Sequence, residues 1–163
     1  MTVLMRYQTD CEVAAIATAL QITWEDAQDA LDWYELPKDI NSPLMGNPWN
    51  LYRALISLGY WKANKTWNQI LKGDYTPGLC IMLIHNPTNP TLQQHYIVIG
   101  EKRDDLGGYA VFWGDSENPR LIKTEKLKDY FLKGYPNCSF EPYKASVLRI
   151  AWEKVKSFFC NTK

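Results

Sequence analysis

Cys11 stands between two acids at the head of an alanine-rich apolar stretch, YQTDCEVAAIATAL, residues 7–20. A thiol in the first turn of a helix lies at the positive end of the helix dipole, which favours its thiolate. Asp10 and Glu12 oppose that effect, because negative charge beside the sulfur disfavours ionisation. A thiol nucleophile also needs a base to move protons on and off the reacting groups. His95 is the better placed of the two histidines. It opens the apolar run HYIVIG directly after the loop HNPTNPTLQQ, so its ring is expected at the edge of a cleft. Asp115, in VFWGDS, follows the next apolar run, GYAVFWG. Paired as a hairpin, these two runs set the start of the first beside the end of the second, which brings His95 and Asp115 together. Gln8, three residues before Cys11, is a candidate donor to an oxyanion alongside the Cys11 main-chain N–H. His85 is a competing base, although closing one run and preceding NPTNP suits it better to capping a turn. Cys11 has a plainer reading too, since free cysteine packs well in apolar cores.

The elements that must position these residues change period halfway along the chain. Thr9 and Glu12 have the spacing of a capping box, which starts a helix near Asp10 or Cys11. Val13, Ile16, Ala17 and Leu20 follow at helical spacing, as in a buried central helix. TWEDAQDAL gives a second helix, with Thr23 as cap and acids in its first turn. GNPWNLYRALISLG gives a third, capped by Asn47, opened by Pro48 and stopped by Gly59. A short helix is expected from Trp67 to Lys72, ended by Gly73. After it come three apolar runs, GLCIMLI, HYIVIG and GYAVFWG, of strand length. EKRDDLG between the last two reads as a hairpin connection. Thr124 to Leu132 makes one more helix, and ASVLRIAW a late strand or helix start. The expectation is a single α+β domain over residues 1–163, helices first and an antiparallel sheet after.

Composition narrows the function classes. The 163 residues carry 18 Lys and Arg against 18 Asp and Glu, so there is no basic excess to neutralise nucleic-acid phosphates. No apolar run reaches the length of a membrane span. The N-terminus MTVLMRYQTD lacks a signal-peptide pattern, which points to a reducing cytoplasm. Cys11, Cys80, Cys138 and Cys160 are scattered, with no Cys-x-x-Cys pair and no His-x-x-x-His, so neither a metal nor another cofactor is expected. Five of the seven tryptophans, Trp24, Trp33, Trp49, Trp61 and Trp67, fall in the helical half, where packing accounts for them.

DCEVAAIATAL followed by HYIVIG and FWGDS resembles the papain-like cysteine peptidases, most closely compact bacterial and phage members of the bacteriocin-processing (C39-like) group. GNPWNLYRALISLGY and PGLCIMLI are similar to the helix before the sheet and the strand before the histidine loop in that group. The resemblance covers most of residues 7–133 and implies Cys11 as nucleophile, His95 as base and Asp115 as the acid that orients it. It implies thiol-dependent hydrolysis of an amide in a peptide or protein substrate, without a cofactor. Glu12 stands where the family has glycine, and Gln8 lies closer to the cysteine than the family's glutamine does. Two alternatives remain: acyl transfer by the same triad, and a non-catalytic host-interaction or binding module on the same fold, which Glu12 favours. The sequence leaves the oligomeric state open.

Overall fold

The computed structural model describes residues 2–7, 10–32, 48–85, 94–133 and 139–146. Among the described residues, five helices and six strands follow in the order α1 (Cys11–Leu20), α2 (Trp24–Asp32), α3 (Pro48–Ser57), β1 (Tyr60–Asn64), α4 (Trp67–Leu71), β2 (Cys80–His85), β3 (Gln94–Arg103), β4 (Gly108–Phe112), β5 (Arg120–Lys123), α5 (Thr124–Lys133) and β6 (Ser139–Lys144). The strands form one antiparallel sheet in the order β1-β6-β2-β3-β4-β5.

The central strands are buried on both faces, which explains why β2 and β3 read as unbroken apolar runs. Strand alternation sends Ile81, Leu83, Tyr96 and Val98 to one side, into a core shared with α1, α2 and α3. It sends Cys80, Met82, Ile84, Ile97 and Ile99 to the other, where they meet Trp67 and Ile70 of α4, Tyr109 and Val111 of β4, and Leu127 of α5. Ala15, Ala17 and Ala19 let α1 lie close to its neighbours, and all of its residues from Glu12 onward are buried. α2 and α3 present Ala27, Ala30, Leu31, Leu51, Ala54 and Leu55 to this core at helical spacing.

The five expected helices form, and α4 carries a complete capping box from Thr66 and Gln69. The box expected at α1 rests on Thr9, which lies outside the described residues; Glu12 Oε1 is buried with no hydrogen-bond partner. Asp10 is the N-cap there, and its side chain makes no capping bond. Thr9, Asn47 and residues 147–163, with most of ASVLRIAW, lie outside the described residues.

Three strands were not legible, and one changes the expected order: β1 precedes α4, so the sheet begins before the helices end. β6 contains Pro142, which argues against a strand inside a sheet. Its proline is opposite Lys62 of β1, beyond the Phe140–Ser139 stretch that pairs with β2. β5 is a four-residue edge strand flanked by Arg120 and Lys123, the short charged form that resists further pairing.

The β3–β4 hairpin forms as expected, with Asp104–Leu106 in a 3-10 turn and a register irregularity between Ile99 and Lys102. Gly108 starts β4 so close to β5 that an added Cβ would lie 2.4 Å from the Ile122 carbonyl oxygen. Because that obstacle is main chain, Gly108→Ala should cost about 1–3 kcal/mol. Urea denaturation should show a lower midpoint, whereas an unchanged midpoint would mean that β4 and β5 can part without loss.

Candidate active site

Cys11 is the first residue of α1 and lies at the margin of the core shared by α1, α2 and α3. The approach to it is fixed by Asp10, whose Oδ2 accepts from the Arg6 main-chain N–H at 2.9 Å and from Trp24 Nε1 at 3.0 Å. Main-chain N–H groups of Tyr96 and Glu12 reach the Cys11 thiol and favour its ionised form. Burial outweighs them and pushes the thiol up to about 12, with Glu12 and Asp10 adding in the same direction. At neutral pH the group is therefore a thiol, and the thiolate that the helix dipole alone would favour is not the resting form.

His95 lies one residue from that sulfur contact, at the start of β3, and is 4% exposed. Its Nε2 is 2.9 Å from the Trp113 carbonyl oxygen. A carbonyl can accept but not donate, so Nε2 carries the proton and Nδ1 is left with the lone pair. The ring stacks on Trp113 with centroids 5.0 Å apart and planes inclined by 26°. Trp113 is 5% exposed, and Tyr130 of α5 packs edge-on to it. Burial lowers the His95 pKa; the Trp113 carbonyl and Asp115 pull it up, and Arg120 pushes it down.

The hairpin register delivers Asp115 to this corner. Val98 is opposite Phe112, the last residue of β4, and Asp115 follows three residues on, where its charge acts on the His95 ring. The Asp115 carboxylate pairs with Arg120, which also lies over the Trp113 ring at 5.1 Å. The ring hydrogen bond expected for Asp115 thus goes to the Trp113 carbonyl instead. Among the described residues no hydrogen bond joins the Cys11 sulfur to the His95 ring. The two belong to adjoining regions: Tyr96 faces the core of α1, whereas His95 has the strand parity of Ile97 and Ile99 on the far face. The link between them is Tyr96, whose main chain the sulfur meets and which follows His95 in β3.

Gly114 makes the turn between Trp113 and Asp115 possible, at φ +86. Its carbonyl accepts from the Met5 N–H at 2.7 Å, and a Cβ there would sit 3.1 Å from Met5 Cγ and 3.6 Å from Ala14 Cβ. Val3 bonds through its N–H to Thr18 Oγ1 at 2.9 Å, and Thr2 Oγ1 to the Glu117 carbonyl at 3.1 Å. The N-terminal segment thereby straps α1 to the turn that carries Asp115.

Gln8 lies outside the described residues, as do Cys138 and Cys160. Cys80 is fully buried in the sheet, as its setting in LCIMLI suggested. Among the described residues no group of three or more His, Cys, Asp or Glu side chains is arranged to hold a metal ion. No described helix is long and apolar enough to cross a membrane. Trp113 and Arg120 are the two contributors that sequence reasoning passed over. Trp113 acts through a main-chain carbonyl, which leaves no mark on residue type.

No protein-family model matches the chain, and no curated protein matches it in sequence. Solved structures match it in fold. A double glycine motif protease from an AMS/PCAT transporter, crystallised in complex with the leader peptide, superposes with a TM-score of 0.58 at 15% identity, covering 87% of this chain and 89% of that one. The chain has the fold of that peptidase domain. At this identity the likeness is one of fold, and the chemistry has to be argued from the residues above.

Glu12, beside Cys11, supplies a check on this corner. It is 5% exposed, and burial pushes its carboxyl up to about 8 from an ordinary 4.5. Between those values the folded protein holds a proton that the unfolded chain releases. Stability therefore falls as pH rises from about 4.5 to about 8, by roughly 3–5 kcal/mol from this group. Glu12→Gln should remove that loss in denaturation measured at pH 5 and pH 9. Parallel pH dependence in the two proteins would show that the carboxyl is not buried as described.

Proposed function

We propose that this protein is a papain-like cysteine peptidase that hydrolyses an amide bond in a peptide or protein, with Cys11 as nucleophile and His95 as base. The observation that carries the reading is the corner at the start of β3. There a helix-start thiol rests on the Tyr96 main chain, and the preceding residue of β3 is a buried histidine whose Nε2 is committed to a carbonyl, leaving the Nδ1 lone pair to accept a proton. The shared fold with a double glycine motif protease supports it.

In the resting state both groups are neutral, so proton transfer accompanies attack. As the Cys11 sulfur bonds to the substrate carbonyl carbon, its proton passes to Nδ1 of His95. The oxyanion is held by the Cys11 main-chain N–H, which is free of helical bonding in the first turn, together with Gln8. The Trp113 carbonyl and Asp115 stabilise the imidazolium. The imidazolium then gives its proton to the leaving amine as the C–N bond breaks, leaving a thioester on Cys11. Water, deprotonated by His95, cleaves the thioester, releases the acid and restores the thiol. No metal or organic cofactor enters these steps, and a reducing compartment keeps the thiol competent.

The solved neighbour was crystallised with a leader peptide, so an extended peptide is the substrate class proposed here. A proteome-derived peptide library, supplemented with peptides containing Gly-Gly, tests the proposal by mass spectrometry of new termini. Wild type should generate termini that vanish in Cys11→Ala and fall at least about 100-fold in His95→Ala. Products carrying added hydroxylamine, when it is supplied, would mark acyl transfer by the same residues. Termini that persist in Cys11→Ala would refute the nucleophile. Absence of any cleavage would leave the fold working as a binding module, the role that buried Glu12 beside a protonated thiol would suit.

A further inference from the structure

Arg120 sits outside the set of residues proposed to touch substrate, yet it contacts both groups that flank the imidazole. Its guanidinium is 5.1 Å from the centroid of the Trp113 ring, and Trp113 is the ring on which His95 stacks. It also closes the ion pair with Asp115, the acid whose charge favours the His95 imidazolium. Arg120 opens the short edge strand β5, and Tyr109 to Val111 of β4 pair with that strand, so its backbone is held in register with the hairpin.

We propose that Arg120 is a positioning residue for His95, holding the Trp113 ring against the imidazole from one side and tethering the Asp115 carboxylate from the other. A planar guanidinium suits both tasks, because it lies flat on an aromatic face while its edge binds a carboxylate. The arrangement sets how basic the imidazole is. Asp115 favours the imidazolium and Arg120 opposes it, so the pair balances its charge when closed. Beyond these, Tyr130 of α5 packs on Trp113 with Lys126 above it, and the Cys11 thiol of α1 meets the main chain of the adjoining Tyr96. The Trp113 carbonyl fixes the tautomer in either case.

The catalytic meaning of this device rests on the peptidase reading, but the device itself does not. The test is NMR titration of the histidine rings in the full chain, with His85→Gln used to assign the two resonance sets. The Arg120 and Asp115 side chains keep 41% and 35% of their surface in solvent, so their substitution spares the core. Arg120→Gln removes a positive charge and releases Asp115; the two effects have the same sign, and the His95 midpoint should rise by about half a unit. Asp115→Asn should lower it, and Arg120→Lys should return it close to the wild-type value. Nε2 should remain the protonated nitrogen of the neutral ring in all of them. A change under about 0.2 unit in Arg120→Gln, or a rise in Asp115→Asn, overturns the proposal. Where wild type cleaves peptides, the acid limb of its rate profile should move upward in pH with Arg120→Gln. Failure of wild type to cleave anything would sink the peptidase reading, and the ring titration would still decide the role of Arg120.

Discussion

The hydrogen bond from His95 Nε2 to the Trp113 carbonyl is the constraint around which the candidate site is organised. It fixes which nitrogen bears the proton, and so which nitrogen can act as a base. Its geometry is a product of the sheet. The β3–β4 register brings the end of one strand beside the start of the other, and the left-handed turn at Gly114 keeps the Trp113 carbonyl there. Met5 closes over that turn and Val3 reaches Thr18, so the same strap that holds the carbonyl also holds α1. Cys11 and His95 come from elements far apart in the chain, yet one short segment ties their supports together.

Burial works against charge throughout this corner. It raises the Cys11 thiol, raises the Glu12 carboxyl and lowers the His95 imidazole, so each group rests in its neutral form near pH 7. A pre-formed thiolate–imidazolium pair would need those desolvation costs offset by direct contact between the two charges. In this structure the sulfur is satisfied by main-chain N–H groups and the ring by a carbonyl. Such a site is expected to activate its nucleophile when substrate occupies it, with proton transfer and attack in one event.

Much of this organisation could be read from residue order. The capped and periodic helices, the three apolar runs and the hairpin between HYIVIG and GYAVFWG all form, because each depends on local spacing or on continuous burial. Cys11 at a helix start, and the antiparallel pairing of the strands that carry His95 and lead to Asp115, followed from the same reasoning. β1 and β6 escaped it because they are held by pairing with each other, and Pro142 argues locally against a strand. The partner of His95 escaped it for a different reason: every residue has a carbonyl, and tertiary register alone decides which one is used. Asp115 was expected as that partner, but its carboxylate pairs with Arg120, whose position in a short edge strand gave no earlier sign of a link to the site.

The central claim is that Cys11 becomes a nucleophile through His95. It is tested most directly by exposing the protein to the p-nitrophenyl ester of acetyl-Gly-Gly and mapping the adduct by mass spectrometry. The account predicts an acetyl-diglycyl thioester on Cys11, forming at least about 100-fold more slowly in His95→Ala. An adduct that forms equally fast without His95, or that appears on Cys80 in place of Cys11, would contradict it.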